Sequence, residues 1–249
     1  MIAVLMFPGS NCENETKLAC EKAGMKAEIV RWNDVSKLGS YSGYVLPGGW
    51  SYEDRIRAGV IASKDTVVAF LKKEAAAGKP ILGICNGCQI LVEAGLVPGN
   101  GKLEMAVARN ENPLVSGYYC SWVHMKKTSS LKTAFSAVDD VMAIPIAHGE
   151  GRFVTNDTEL LAALEENGQI LFRYCDAGGD VATSFPDNPN GSSGAIAGIC
   201  NKEGNVLAMM PHPERAAWMR QMPGEHADGE EAGPGLRIFE SMKRYIDEN

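Results

Sequence analysis

The sequence predicts an α/β fold in which a mostly parallel central sheet lies between layers of helices and carries a small antiparallel extension. Three observations predict it. Apolar runs of strand length alternate along the chain with segments whose apolar residues recur at helical spacing. Residues 2–30 follow the order strand, helix, strand, which is typical of the βαβ unit of a parallel sheet. Residues 104–127 instead alternate irregularly, and this indicates antiparallel strands.

Each element follows from a local signal. The apolar run 2–7 (IAVLMF) predicts a buried first strand, and the helix after it should end at Gly24. The predicted inner side of that helix comprises Thr16, Leu18, Ala19 and Ala23. Apolar runs between turn residues predict further strands at 27–30, 44–46, 81–84, 142–146, 170–174, 195–199 and 206–210, the last two forming a hairpin. Helical spacing predicts helices at 13–23, 64–77, 158–166 and 236–246.

The composition limits the class of protein. With 249 residues, 45% of them hydrophobic, and no repeat or linker, we expect a single domain over residues 1–249. A net charge of −7 without a basic run argues against nucleic acid or an anionic membrane as the main partner. No apolar stretch approaches the roughly 18 residues of a membrane span. Seven cysteines at scattered spacing and an N-terminus without a cleavage site favour a reducing cytoplasm.

Cys85 is the candidate nucleophile. The apolar run before it reads as a buried strand, and the residues after it have helical spacing. A cysteine at such a turn holds its sulfur away from the sheet. The free N–H groups and dipole of the helix N-terminus favour its thiolate. Gly83 and Gly87 lack a Cβ, so backbone and substrate can approach the turn closely.

Two other interpretations of this segment stay open from its residues alone. A buried structural cysteine is the ordinary case. Cys85 and Cys88 also have the CxxC spacing of a redox pair. A zinc site is not expected, because no second CxxC and no pair of histidines at zinc-finger spacing follows. Since Cys88 lies one turn into the predicted helix, we assign it to packing near the site.

Two further motifs supply what a cysteine nucleophile needs. His212 and Glu214 stand between prolines, which favour an extended chain in which residues two apart point the same way. The carboxylate can then hold the imidazole in one tautomer, as the orienter and the base of a triad do. Pro47-Gly48-Gly49 ends a short strand and leaves backbone N–H groups uncrowded. Each motif alone is also compatible with an ordinary turn.

Together these residues predict acyl transfer through a thioester. Cys85 would attack the carbonyl, His212 would move the proton, and Glu214 would orient the imidazole. The N–H groups of Gly49 and Asn86 would stabilise the oxyanion. We assign three neighbouring residues to substrate binding: Gly48, Trp50 and Gln89.

The combination of PGG, G-x-C-x-G and P-H-P-E resembles the class I (triad) glutamine amidotransferases, which have a flavodoxin-like three-layer sandwich fold. Within them, the chain is similar from residue 1 to about 245 to the glutaminases of formylglycinamide ribonucleotide amidotransferase. The segments that carry this finer resemblance include FPGSNCENE, LPGGWSYEDRIRAG, GICNGCQIL, AHGEGRF, FRYCD, NPNGS, GNVLAMMPHPERA and GLRIFESM.

The resemblance implies that glutamine is hydrolysed to glutamate and ammonia. The ammonia passes to a separate synthetase subunit that uses ATP and Mg²⁺ to make formylglycinamidine ribonucleotide in purine synthesis. It implies no cofactor or metal in this chain, and a small bridging subunit beside the synthetase. Two alternatives remain: a glutaminase serving another synthetase, such as that for GMP, and a non-catalytic flavodoxin-like thiol or redox protein.

Other residues have weaker assignments. His148 competes with His212 as base, but in HGEGRF it is better assigned to a partner contact or to the shape of the loop. Arg152 and Arg109 are assigned to the partner surface. Glu53 stands where the resemblance leads us to expect glycine. The acidic, Gly-rich segment 224–233, which contains His226, has no assigned role.

Overall fold

The computed structural model describes residues 1–138, 141–224 and 230–249. The strands are β1 (Ile2–Met6), β2 (Ala27–Arg31), β3 (Gly43–Leu46), β4 (Ile81–Ile84), β5 (Ala106–Arg109), β6 (Tyr119–Lys127), β7 (Met142–His148), β8 (Glu150–Val154), β9 (Ile170–Cys175), β10 (Ile196–Cys200) and β11 (Val206–Met209). The α-helices are α1 (Glu13–Lys22), α2 (Thr66–Ala76), α3 (Asn86–Glu93), α4 (Thr158–Glu166) and α5 (Leu236–Glu248).

Within the described residues, nine strands form one sheet in the order β2-β1-β3-β4-β11-β10-β9-β6-β7. The strands from β2 to β11 pair in parallel, and every pairing beyond β11 is antiparallel. The antiparallel strands therefore continue the central sheet, while β5 and β8 form a separate two-stranded ribbon. The predicted α/β class, with a mostly parallel sheet and an antiparallel extension, is confirmed.

The strand order creates a crevice at one edge of the sheet. From β1 the chain crosses to β2 on one side, and from β3 it crosses to β4 on the other. Because such crossovers are right-handed, α1 and α2 cover opposite faces. The strand order reverses between β1 and β3, and ligands of open α/β sheets bind at such a switch point, beyond the carboxyl ends of the strands. The segments that follow β1, β3 and β4 meet there.

The first helix corrects one detail of the prediction. Leu18 was expected on the inner side but is 51% exposed, whereas Thr16, Ala19 and Cys20 are buried. Residues two apart on a helix point in different directions, so Thr16 and Leu18 cannot both face the sheet. In α5, Ile238, Phe239 and Met242 are buried as their spacing predicts.

No helix among residues 1–138, 141–224 and 230–249 is both long and apolar enough to cross a membrane. Of the acidic segment 224–233, residues 225–229 lie outside the described part of the chain, and so does His226.

Candidate active site

The turn between β4 and α3 places Cys85 at the crevice in a strained conformation. Cys85 has φ 51° and ψ −106°, a region that non-glycine residues occupy at a cost of about 1–3 kcal/mol. Its N–H donates to the Met209 carbonyl at 2.9 Å, and its carbonyl accepts from the Gln89 N–H at 3.1 Å. The Cys85 side chain lines a pocket at this edge of the sheet. Strain that the surrounding structure maintains at such a strand-to-helix turn is typical of a catalytic nucleophile.

The helix that begins after Cys85 packs directly on the sheet. A Cβ on Gly87 would lie 2.0 Å from the Leu46 carbonyl oxygen, so only glycine permits this approach. Cys88, the next residue, is fully buried, and its burial raises the pKa of its thiol well above the ordinary value. The Cys88 thiol therefore has neither the exposure nor the acidity of a redox cysteine.

His212 and Glu214 form a buried pair on the loop after β11. Nδ1 of His212 lies 2.6 Å from Oε1 of Glu214, and the side chains are 2% and 0% exposed. The His212 N–H donates to the Pro145 carbonyl at 2.8 Å, which anchors the loop to β7. Burial lowers the pKa of His212, but the carboxylate of Glu214 and the sulfur of Cys85 outweigh it and raise that pKa well above 6.5. The imidazole is therefore suited to pair with a thiolate.

The α-carbon of Gly48 shows how closely the parts of the site converge. A Cβ built there would lie 2.7 Å from Cε1 of His212 and 3.4 Å from Cβ of Cys85. It would also lie 3.1 Å from the Cys12 sulfur. Residues separated by more than a hundred positions thus surround one point, and the absence of a side chain at Gly48 keeps the imidazole in place.

The two predicted oxyanion donors lie at the same edge. The antiparallel bridge between Ser10 and Gly49 is made by flanking groups, with Trp50 N–H donating to the Gly9 carbonyl at 2.8 Å. This pairing leaves the Gly49 N–H outside the bridge, and Gly49 lines the pocket. Asn86 is the first residue of α3, where a backbone N–H has no partner within the helix. The assignment of these two amides to the oxyanion remains a prediction.

The side chain of Asn86 links the loop after β3 to α3 through hydrogen bonds. Its Oδ1 accepts from the Ser51 N–H at 3.0 Å, and its Nδ2 donates to Asp54 Oδ1 at 3.1 Å and to Gln89 Oε1 at 2.9 Å. Gln89 in turn donates from Nε2 to the Glu150 carbonyl at 2.6 Å. This network ties the loop after β3 to α3 and positions both amides.

The pocket gathers most of the predicted site residues and adds others. The predicted residues that line it are Gly49, Trp50, Cys85, Gln89, His148 and His212. The residues that sequence reasoning missed are Asn11, Cys12, Asp54, Tyr118, Ala147, Gly149, Glu150 and Arg215. Trp50 stacks on Tyr118 with ring centroids 5.8 Å apart, and both rings are about half exposed. These aromatics form the open rim of the pocket.

Charged groups occupy two sides of this pocket. Burial and the neighbouring carboxylate of Glu150 raise the pKa of Asp54 to about 6. Nη2 of Arg215 donates to the Cys12 sulfur at 3.1 Å and to Glu15 Oε1 at 3.2 Å. Arg215 belongs to the PHPER motif, and Cys12 follows β1 as Gly49 follows β3. Because β1 and β3 are neighbours in the sheet, the segments that follow them lie side by side, and this strand order is the signal that identifies Cys12 as a pocket residue.

His148, Arg109 and Arg152, which had weaker assignments, differ in how far the structure buries them. His148 is 2% exposed, its Nδ1 lies 3.0 Å from Asn110 Oδ1, and burial lowers its pKa to about 3. A pKa this low makes His148 a weak proton acceptor, which favours His212 as the base. The partner contact of His148 remains a prediction, and its side chain is buried. Arg109 is 91% exposed, and Arg152 pairs with Glu111 and donates to the Arg109 carbonyl. The partner contacts of both arginines remain predictions.

Glu53 has a conformation that explains why glycine is the expected residue there. It has φ 60°, and Tyr52 and Asp54 beside it also have positive φ. A left-handed conformation costs a non-glycine residue about 1–2 kcal/mol. The exposed side chain pairs with Arg55 at 2.7 Å and does not line the pocket.

The comparisons with known proteins agree with this geometry. The family model for the CobB/CobQ-like glutamine amidotransferase domain matches residues 1–246. A Methanothrix thermoacetophila protein named phosphoribosylformylglycinamidine synthase subunit PurQ is 49% identical, covering 99% of this chain and 98% of its own. The Pyrococcus furiosus protein of the same name is 41% identical, covering 98% and 97%.

A solved structure gives the same result at the level of the fold. A chain in the structure of PurLQS from Thermotoga maritima superimposes with a TM-score of 0.76 at 34% identity, and the match covers 98% of each chain. This chain therefore belongs to the glutamine amidotransferase family, within the group of PurQ subunits of phosphoribosylformylglycinamidine synthase.

Proposed function

We propose that this chain is the glutaminase subunit of a phosphoribosylformylglycinamidine synthase. It hydrolyses glutamine to glutamate and ammonia, and the ammonia serves an ATP-dependent synthetase that makes formylglycinamidine ribonucleotide in purine biosynthesis. The observation that carries this proposal is the convergence of Cys85 with the buried His212–Glu214 pair at one pocket. A redox function is not favoured, because Cys88 is fully buried.

The first half of the reaction forms a thioester. His212 takes the proton of Cys85, and the sulfur attacks the side-chain amide carbon of glutamine. The carbonyl electrons move to oxygen, and the oxyanion accepts hydrogen bonds from the N–H groups of Gly49 and Asn86. The loss of one such donor typically costs about 10²–10³ in rate. His212 then protonates the nitrogen, the C–N bond breaks, and ammonia leaves.

The second half releases glutamate and restores the thiol. His212 takes a proton from water, and the resulting hydroxide attacks the thioester carbon. The oxyanion forms again at the same two amides, the C–S bond breaks, and Cys85 recovers its proton from His212. Glu214 holds the ring through Nδ1 at 2.6 Å during both halves, so Nε2 faces the sulfur throughout.

The partners of the chain are part of the proposal. The Thermotoga maritima structure is named for an assembly, PurLQS, and this supports a synthetase subunit as the acceptor of ammonia. We further propose a small bridging subunit, no cofactor in this chain, ATP and Mg²⁺ in the synthetase, and a single domain. Seven free cysteines support a reducing, cytoplasmic location.

The test uses the chain with and without the synthetase of the same organism. We expect slow glutamine hydrolysis by the chain alone and a strong increase in the assembled complex, because an unpartnered glutaminase would waste glutamine. Glutamine-dependent formation of formylglycinamidine ribonucleotide, followed by chromatography, is the readout. Co-purification from the native host identifies the subunits. High turnover without a partner would contradict gating, and support of a GMP-type synthetase alone would contradict the assignment.

Gly48→Ala tests the packing against the base. The new methyl group would lie 2.7 Å from Cε1 of His212, so the imidazole must move. A displacement of about 1 Å at a reacting group can lower the rate about 10²-fold. We expect a fall of that size in kcat for glutamine hydrolysis in the complex. Gly39→Ala is the matched control, because a Cβ at Gly39 meets nothing within 4 Å. Equal rates for the two variants would show that His212 tolerates displacement.

A further inference from the structure

Residues 51–57 form a strained loop that begins directly after the pocket residues Gly49 and Trp50. Among the residues that the structure describes, six non-glycine residues have a positive φ, and four of them lie in this loop: Tyr52, Glu53, Asp54 and Ile56. A positive φ is unfavourable for any residue with a Cβ. Such a run of residues persists only when contacts with the rest of the structure enforce it.

Helix α3 holds the beginning and the end of the strained loop. At the N-terminal end of the helix, Asn86 accepts from the Ser51 N–H at 3.0 Å and donates to the Asp54 carboxylate at 3.1 Å. At the C-terminal end, Arg57 donates from Nε to Oε1 of Glu93 at 2.6 Å and from Nη2 to Oε2 at 2.5 Å. Since Glu93 is the last residue of α3, the loop is attached along the whole length of the helix.

Glu93 has an unfavourable position for a carboxylate. Its side chain is only 6% exposed, and glutamate is rarely buried without a partner. The C-terminus of a helix is also the negative end of the helix dipole, which disfavours an anion. The guanidinium of Arg57 compensates both effects through two parallel hydrogen bonds. The carboxylate is therefore better explained by its contact with the strained loop than by the needs of the helix.

The residues that follow the loop also pack closely on α3. Gly59 has φ 77°, and a Cβ there would lie 2.7 Å from the Ile90 nitrogen and 3.0 Å from Cβ of Gln89. The Ala58 N–H donates to the Glu150 carboxylate at 3.4 Å. Because Gln89 and Glu150 both line the pocket, a shift of this segment would reach the pocket from a second side.

We propose that Arg57 and Glu93 are positioning residues for glutamine hydrolysis. The ion pair holds the strained loop against α3, and the loop in turn holds Gly49 and Trp50 at their places in the pocket. Without the pair, the loop would relax toward negative φ, and this wall of the pocket would move away from the helix that begins after Cys85. The effect on catalysis rests on the proposed function, whereas the effect on the loop does not.

The first experiment measures hydrogen exchange of the full chain by mass spectrometry. Glu93→Gln keeps the size of the side chain but replaces one acceptor of the Arg57 guanidinium by an amide donor. We expect the N–H groups of residues 51–58 to exchange about tenfold faster, because a hydrogen-bonded charge pair is lost. Peptides from α1 should exchange as before. Glu53→Gln is the matched control, because Glu53 forms an exposed ion pair with Arg55 inside the same loop.

The second experiment measures glutamine hydrolysis in the assembled complex. We expect Glu93→Gln to lower kcat about 10²-fold, as a displacement of about 1 Å in an active site can do, and Glu53→Gln to leave kcat unchanged. A pair that only stabilised the fold would lower the melting temperature without changing kcat of the folded complex. Adding Arg57→Gln to Glu93→Gln should lower kcat no further, because the two residues act through one contact.

The outcomes separate the positioning pair from the enzyme's function. Unchanged exchange of residues 51–58 in Glu93→Gln, an equal change in Glu53→Gln, or faster exchange with unchanged kcat would overturn the proposal. If Glu93→Gln fails to fold, as judged by circular dichroism, Arg57→Lys decides. Lysine keeps the charge but not the two parallel hydrogen bonds, so a smaller change in the same direction is expected. Faster exchange in Glu93→Gln without glutamine hydrolysis by any assembly of the unmodified chain would refute only the proposed function.

Discussion

Cys85→Ser is expected to abolish glutamine hydrolysis in the assembled complex. A serine hydroxyl is a far weaker nucleophile than a thiolate, and His212 is poised to support a sulfur anion rather than an alkoxide. Loss of a nucleophile that acts with its base as a unit lowers the rate by up to about 10⁶-fold. Turnover of glutamine by the complex, measured as glutamate released, is therefore expected to fall to background.

Two controls make the Cys85→Ser result specific. Cys88→Ser changes a thiol one helical turn away, which is fully buried in α3, and should leave most of the activity. The complex that contains Cys85→Ser should still make product when ammonium salts replace glutamine, because ammonia enters after the step that Cys85 performs. If the two serine variants behaved alike, a role for Cys85 and Cys88 as a redox pair would gain support instead.

The parallel half of the fold follows from local signals. Strands β1, β3, β4 and β11 are short apolar runs in the sequence, bounded by turn residues, and fully buried strands have this pattern. For the antiparallel half, the sequence predicts that antiparallel strands are present but not which strands pair. Irregular alternation over 104–127 does not reveal that β6 pairs with β9, because that pairing is set by contacts between distant segments.

The same distinction applies to the site. Cys85, His212 and Glu214 stand in motifs whose geometry is fixed by neighbours in sequence: a strand-to-helix turn and two flanking prolines. Cys12 and Asp54 have no such local signal, because they enter the pocket through the order of the strands and the left-handed turn after Trp50. His148 shows the converse, since its motif gave no indication that the imidazole is buried and neutral.

Glu214→Gln is the second change with a large expected effect. Glu214 is fully buried, and its carboxylate opposes the effect of burial on His212. Without it, burial dominates and the pKa of His212 falls, so less imidazolium is available to pair with the Cys85 thiolate at neutral pH. The amide can also donate to Nδ1 and thereby favour the wrong tautomer. An analogous change in a serine protease lowers kcat about 10⁴-fold, and we expect a loss of about 10²–10⁴.

Thiol alkylation provides the readout that distinguishes orientation of the base from simple loss of fold. In the unmodified chain, the raised pKa of His212 keeps an imidazolium beside the Cys85 sulfur, and this cation should favour alkylation by iodoacetamide at neutral pH. In Glu214→Gln, alkylation near neutral pH should be slower, because the imidazolium beside the sulfur is lost as the pKa of His212 drops. Glu15→Gln is the matched control, since Glu15 contacts Arg215 rather than the imidazole. An unchanged pH profile in Glu214→Gln would mean that the buried carboxylate does not set the charge of His212.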